Sequence, residues 1–182
     1  KGSQRLLGAQ IVGHEGVDKR IDVLATAMQA GLPVTALKDL DLAYAPPYAS
    51  AKDPVNLVGF MAENLEQGVV KQFHWEDVAG LPRDGSVTLL DARTPGEYSG
   101  GCAEGFVNVP LDELRDHLGE IAPGKPVYVM CQSGLRSYLA CRILAQDGYD
   151  CYNFSGGYRF YESVLLDRWT RQNAYPCGVE RP

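Results

Sequence analysis

The residues best arranged for chemistry are Cys131-Gln132-Ser133-Gly134-Leu135-Arg136-Ser137, in which one thiol is surrounded by what a sulfur anion needs. The thiolate is the reactive form of a cysteine. The preceding run, Val127-Tyr128-Val129-Met130, reads as a buried strand that delivers Cys131 at its carboxyl end, and a helix follows from Ser137 to Gln146. The loop between them must turn sharply, and Gly134 supplies the backbone freedom for that turn. Several backbone N–H groups then face the sulfur, the helix amino terminus adds roughly half a positive charge, and Arg136 adds a further cation. Thiolate and anionic persulfide are both stabilised by such a cradle. For a cysteine met alone, a buried strand end followed by an ordinary turn is the better reading. Here Gly134, Arg136 and Ser137 all fall where an anion cradle needs them.

The elements that must position this loop alternate along the chain. Short apolar runs at Val87 to Leu90, Phe106 to Val109, Val127 to Met130 and Tyr152 to Phe154, with Val70 to Phe73 as a further candidate, read as buried parallel strands. Helical stretches at Trp75 to Leu81, Leu111 to Leu118, Arg136 to Gln146 and Tyr158 to Leu166 lie between or after them. The pattern predicts an α/β doubly wound parallel sheet with its functional loops at the strands' carboxyl ends.

Four motifs in order carry a family resemblance: Leu89-Leu90-Asp91-Ala92-Arg93 with Glu97-Tyr98 and Gly101, then Val107-Asn108-Val109-Pro110-Leu111-Asp112-Glu113-Leu114, then the Cys131 loop, then Ser155-Gly156-Gly157-Tyr158. Together they resemble the rhodanese family over residues 70 to 168. The resemblance implies a rhodanese-like fold and a sulfurtransferase in which Cys131 is the persulfide-bearing nucleophile. It also implies that Arg136 and the loop residues Gln132, Ser133, Gly134, Leu135 and Ser137 hold the persulfide and an anionic donor. Asp91, Arg93 and Glu97 would organise the neighbouring loop, and a structural ion-pair role is preferred for these three. One departure stands out: the family's Gly-His-Ile is here Gly101-Cys102-Ala103, and Cys102 is read as a small filler rather than a resolving cysteine. Tyrosine and dual-specificity phosphatases and arsenate reductases form the competing class, but the phosphatase loop is one residue longer than the four between Cys131 and Arg136. No Asp general acid for a phosphate leaving group can be assigned either.

Residues 1 to 68 are of another kind. Leu6 to Val12 reads as a strand, and Val17 to Ala30 as a helix with Val17, Ile21, Leu24, Ala25 and Met28 on one face. Asp53 caps a second helix from Pro54 to Glu66. The stretches Leu7-Gly8-Ala9-Gln10-Ile11-Val12-Gly13, Gly16 to Asp22, Ala43-Tyr44-Ala45-Pro46-Pro47-Tyr48 and Lys52 to Asn56 resemble the dimerisation domain of pyridine nucleotide-disulfide oxidoreductases. Within that family the resemblance is to coenzyme A-disulfide reductases and related NADH oxidases with a fused rhodanese domain. It implies a partial α+β dimerisation domain over residues 1–68, a rhodanese domain over 69–169 and a tail over 170–182. It also implies a homodimeric parent protein using FAD, NAD(P)H and coenzyme A, in which Tyr48 reaches the partner subunit's active site near coenzyme A. Tyr44 is read as interface packing. No glycine fingerprint for FAD or NAD occurs in the 182 residues, so no cofactor is expected on the chain as given.

Composition bounds the partners. The net charge of −6, from 23 acidic and 17 basic residues without long runs, argues against a nucleic-acid or anionic-membrane surface. No apolar stretch approaches the roughly 20 residues that span a bilayer, and the expected location is cytoplasmic. The five cysteines have no Cys-x-x-Cys pair for zinc, so free thiols and no metal are expected. The expected partners are a small sulfur donor, such as thiosulfate, polysulfide or a persulfide, and a thiol acceptor such as coenzyme A. A non-catalytic tethering role for the rhodanese fold is the second hypothesis.

Overall fold

A computed structural model describes residues 2–172. The chain divides between Val69 and Val70 into two units.

The first unit is built from α1 (Val17–Gln29), a 3-10 helix (Val34–Asp39) and α2 (Pro54–Glu66). Its core is Leu24, Ala27, Leu37 and Val55. Leu24 and Ala27 are three apart and, with half-buried Arg20 and Val23, form the inward stripe of α1. Ala25, expected on that face, is exposed, and Ala27 takes its place. Asp53 caps α2 as the sequence predicts: its carboxylate accepts from Val55 N–H at 3.0 Å, and Asn56 Oδ1 accepts from Asp53 N–H at 3.0 Å. Arg20 Nε lies 3.0 Å from the same carboxylate. Burial pushes the Asp53 carboxyl up, but the bonds from Arg20 and Val55 outweigh it and hold the group below its ordinary value.

The strand expected over Leu6 to Val12 does not form. Its neighbourhood pairs only through an isolated bridge between Arg5 and Pro33, and Pro33 has no N–H with which to extend a ladder. Leu7 and Val12 are 84% and 89% exposed.

The second unit is a five-stranded, all-parallel sheet of β1 (Lys71–Phe73), β2 (Thr88–Asp91), β3 (Val107–Asn108), β4 (Val127–Met130) and β5 (Cys151–Phe154), in the spatial order β1-β5-β4-β2-β3. One face carries Leu90, Val127, Val129 and Cys151 against Ala140, Cys141 and Leu144 of α5 (Leu135–Gln146). The other carries Phe73, Leu89, Met130 and Phe154, packed with Val78 of a short helix (Trp75–Val78) and with Tyr158 and Tyr161 of α6 (Gly157–Gln172). For uniform labels in chain order, the short helix is α3 and Pro95–Ser99 is α4. Side chains alternate between the faces, as strand geometry requires.

Neighbouring strands β2 and β4 continue to opposite sides of the sheet. The segment after β2 packs Ala103 and Phe106 on one face, and β4 leads into α5 on the other. This is a topological switch point, where a crevice opens at the carboxyl ends.

Two helical expectations change. Leu111 to Leu118 is not one helix but turns at Leu111–Glu113 and Leu118–Glu120, joined by i to i+3 bonds such as Leu114 N–H to Leu111 O and His117 N–H to Leu114 O. Leu111, Leu114 and Leu118 all pack on the core, Leu114 fully buried, but the backbone between them follows the tighter i to i+3 pattern. Conversely, α6 extends past Leu166 to Gln172 and takes the first residues of the expected tail. Residues 173–182, with Cys177, lie outside the described residues.

Candidate functional site

Strand β4 ends at Met130, and Cys131 follows at the switch point with no exposed surface. Two donors converge on its sulfur. The Gly134 N–H lies 3.1 Å from Sγ, and the Ser137 hydroxyl, on the first turn of α5, lies 3.2 Å away. Gly134 precedes α5 with φ of 104°, a left-handed conformation that a side chain would strain.

The loop's carbonyls are held facing away from the sulfur. Cys131 O accepts from Tyr158 N–H at 2.7 Å, and Gln132 O accepts from Arg159 N–H at 3.2 Å, both from the first turn of α6. This approach requires Gly157. A Cβ there would lie 2.5 Å from the Gln132 carbonyl and the Ser133 nitrogen, and φ is 70°. The closing Gly156–Gly157 turn is therefore a direct support of the Cys131 loop.

Two ion pairs frame the loop. Arg136 forms a bidentate pair with Glu97, both bonds at 2.7 Å. The Arg136 guanidinium holds the Glu97 carboxyl down at about 2, outweighing the upward push of burial with the help of the Thr94 backbone N–H. Glu97 in turn sits in a capping box with Thr94 at the start of α4. The guanidinium of Arg136 is thus turned to Glu97 from across the switch point.

The second pair is interior. Arg93 and Asp91 are 2% and 0% exposed and joined by three contacts of 2.8 to 3.0 Å. Arg93 also donates to Gly101 O at 2.7 Å and to Gln132 Oε1 at 3.3 Å, and stacks on Tyr158 at 4.0 Å. It ties the loop after β2 to the Cys131 loop and to α6.

Of the residues singled out in the sequence, Cys131, Gln132, Gly134, Arg136, Ser137, Asp91, Arg93 and Glu97 come together here. Ser133 and Leu135 are exposed at the rim, Leu135 by 65%. Tyr44 and Tyr48 belong to the first unit and are 54% and 88% exposed. Cys102 is exposed and not a buried filler. Burial and then contact with Cys102 raise the Tyr98 hydroxyl above its ordinary value. Cys141 of α5 and Cys151 of β5 are buried between helix and sheet; the contact with Cys151, then burial, pushes the Cys141 thiol up and keeps it protonated.

Sequence reasoning missed the role of Thr94, Tyr158 and Gly157. The string Thr94-Pro95-Gly96-Glu97 has an N-cap, a first-turn proline and an acid three residues on, a legible helix start. The Glu97–Arg136 pairing spans 39 residues and has no local signal. Among the described residues, no three His, Cys, Asp or Glu side chains gather to hold a metal, and no helix is long and apolar enough to cross a membrane.

Residues 74–163 match the family described as Rhodanese-like domain. Among solved structures, the chain is similar to reduced Bacillus anthracis CoADR-RHD, at 47% identity and a TM-score of 0.80, over 85% of this chain and 28% of that one. It is also similar to a NAD-dependent persulfide reductase from A. fulgidus, at 40% identity and a TM-score of 0.74, over 88% of this chain and 28% of that one. The coenzyme A disulfide reductase of Staphylococcus haemolyticus is 49% identical over 63 residues, 35% of this chain and 14% of that protein. The chain therefore spans 14% of that curated relative and 28% of each of these two structures.

Proposed function

Taking as premise that residues 74–163 are a rhodanese domain, we propose that Cys131 is the sulfur-carrying nucleophile of a sulfurtransferase module within a larger coenzyme A-disulfide or persulfide reductase. The single observation that carries this reading is the convergence of the Gly134 N–H and the Ser137 hydroxyl on a sulfur placed beside the amino end of α5.

The thiolate attacks the sulfane sulfur of thiosulfate, polysulfide or a persulfide. The bond from that sulfur to the rest of the donor breaks, and its electron pair leaves with sulfite, the shortened polysulfide or a thiolate. The product is Cys131 persulfide, whose terminal sulfur keeps the two donors near it. An acceptor thiolate, such as that of coenzyme A, then attacks the terminal sulfur, and Cys131 leaves as thiolate. No metal or redox cofactor is needed for either step.

Arg136 contributes positive charge to the loop while Glu97 holds its orientation. Arg93 and Asp91 set the shape of the loop and do not touch the reacting atoms. The glycine turns that open α5 and α6 face the Cys131 loop and leave no cradle for a pyrophosphate. These two turns do not fit the pyrophosphate of FAD or NAD(P)H, and those cofactors of the parent reductase would be held by other parts of it. In that parent, the exposed apolar side chains of α2, among them Leu57, Met61 and Leu65, suit a homodimer interface, and Tyr48 would reach coenzyme A in the partner subunit.

Mass spectrometry after thiosulfate or polysulfide treatment tests the proposal. A one-sulfur adduct on Cys131, lost in Cys131→Ser together with cyanide-dependent transfer, is expected. An unmodified Cys131 with no transfer to cyanide excludes the catalytic reading and leaves a tethering role.

A further inference from the structure

Asn153 lies within β5, 5% exposed. It shares a face with Cys151, two residues back, and so points to the side that carries α5. Its Nδ2 donates to Gly134 O at 3.3 Å. Its Oδ1 is buried with no hydrogen-bond partner among the described residues. A buried acceptor without a donor costs stability, and an apolar side chain of the same shape avoids that cost. The carboxamide is therefore poorly explained by packing.

The contacts of Gly134 O offer an explanation. This carbonyl also accepts from Tyr138 N–H at 3.1 Å and lies 3.2 Å from the Ser137 hydroxyl. The same hydroxyl lies 3.2 Å from Cys131 Sγ. A serine hydroxyl has one proton, and here two acceptors compete for it at equal distance. A carbonyl oxygen has two lone pairs. Tyr138 and Asn153 fill both, and the Ser137 proton is left for the sulfur.

We propose that Asn153 is a positioning residue that saturates the Gly134 carbonyl and so directs the single Ser137 proton onto Cys131. It rests on the reading of Cys131 as the working nucleophile, but not on any particular sulfur donor. Asn153 does not touch the sulfur in this scheme; it acts through Ser137. Flipping the carboxamide would set Oδ1 against Gly134 O, so the unpartnered oxygen is the unavoidable other end of the device.

The test is the rate of iodoacetamide alkylation at Cys131 in the full chain, located by peptide mass spectrometry so that Cys102 does not confuse it. Asn153→Leu should change that rate about fivefold, the scale of one hydrogen bond, while the melting temperature stays level or rises. Asn153→Val, whose side chain suits a strand, should behave alike and guards against a misfit of leucine. Ser137→Ala should produce a change in the same direction, and adding Asn153→Leu to it should have little further effect, because the proton being directed is gone. An unchanged rate in both amide-free variants overturns the proposal. So does full additivity with Ser137→Ala, or a rate change that merely tracks a fall in melting temperature. Alkylation needs no sulfur donor, so it remains readable even if Cys131 never takes up sulfur.

Discussion

Each unit sets a buried aspartate against an arginine, and the two pairs do different work. In the first, Asp53 ends a helix: its carboxylate takes the Val55 N–H, and Arg20, 33 residues away, neutralises it. In the second, Asp91 is clamped by Arg93 only two residues on, and the leftover donors of Arg93 reach Gly101 and Gln132 in separate loops. The first pair fixes an element by its end. The second fixes a site by connecting three segments that the sheet brings only to the same edge. Buried charge marks position-setting in both, and in neither does it mark the reacting group.

This contrast can be broken most forcefully at Arg93. Arg93→Ala leaves the Asp91 carboxylate buried without its partner, which costs about 3–5 kcal/mol. Denaturant unfolding of the full chain should show that loss, and a cost under about 1 kcal/mol would mean that the pair is not structurally important. A smaller effect is expected in the first unit at Gly59, where α2 crosses the 3-10 helix. An added Cβ would lie 2.9 Å from the Leu37 carbonyl carbon, so Gly59→Ala should cost about 1–3 kcal/mol. Hydrogen exchange across residues 54–66 should accelerate, and unchanged protection would show that the two segments separate at no cost. The smallest effect concerns Glu97. Arg136 depresses its carboxyl from the ordinary 4.5 to about 2, so its contribution is fully present above about pH 4.5 and is lost as pH falls through about 2. As a partly exposed pair it contributes below about 1 kcal/mol. Glu97→Gln should flatten the acid limb of the stability curve over that window, and an identical limb in the variant would remove Glu97 from the account.

What could be read from the sequence follows the same division. The strand-to-helix turn that carries Cys131, Gly134, Arg136 and Ser137 was legible because an apolar strand, a glycine and a helix start sit within a dozen residues. The caps of α2 were legible for the same reason. The rhodanese-like parallel sheet was also legible, through short, mostly apolar runs alternating with helical stretches. Glu97 against Arg136 was not, since their meeting depends on β2 and β4 being neighbours. Leu6 to Val12 misled because a short apolar run suggests a strand, whereas a strand exists only where a partner supplies the ladder. Leu111 to Leu118 misled because leucines spaced as on one helix face pack on the core from two short 3-10 turns instead.

The contact of Gly157 with the Cys131 loop has a consequence for biosynthesis. The amides that turn the Cys131 and Gln132 carbonyls outward belong to Tyr158 and Arg159, which leave the ribosome 27 and 28 residues after the cysteine. A nascent chain that has not yet released them has no partners for those two carbonyls. The Cys131 loop can therefore take its full set of backbone bonds only after β5 and the start of α6 have been made.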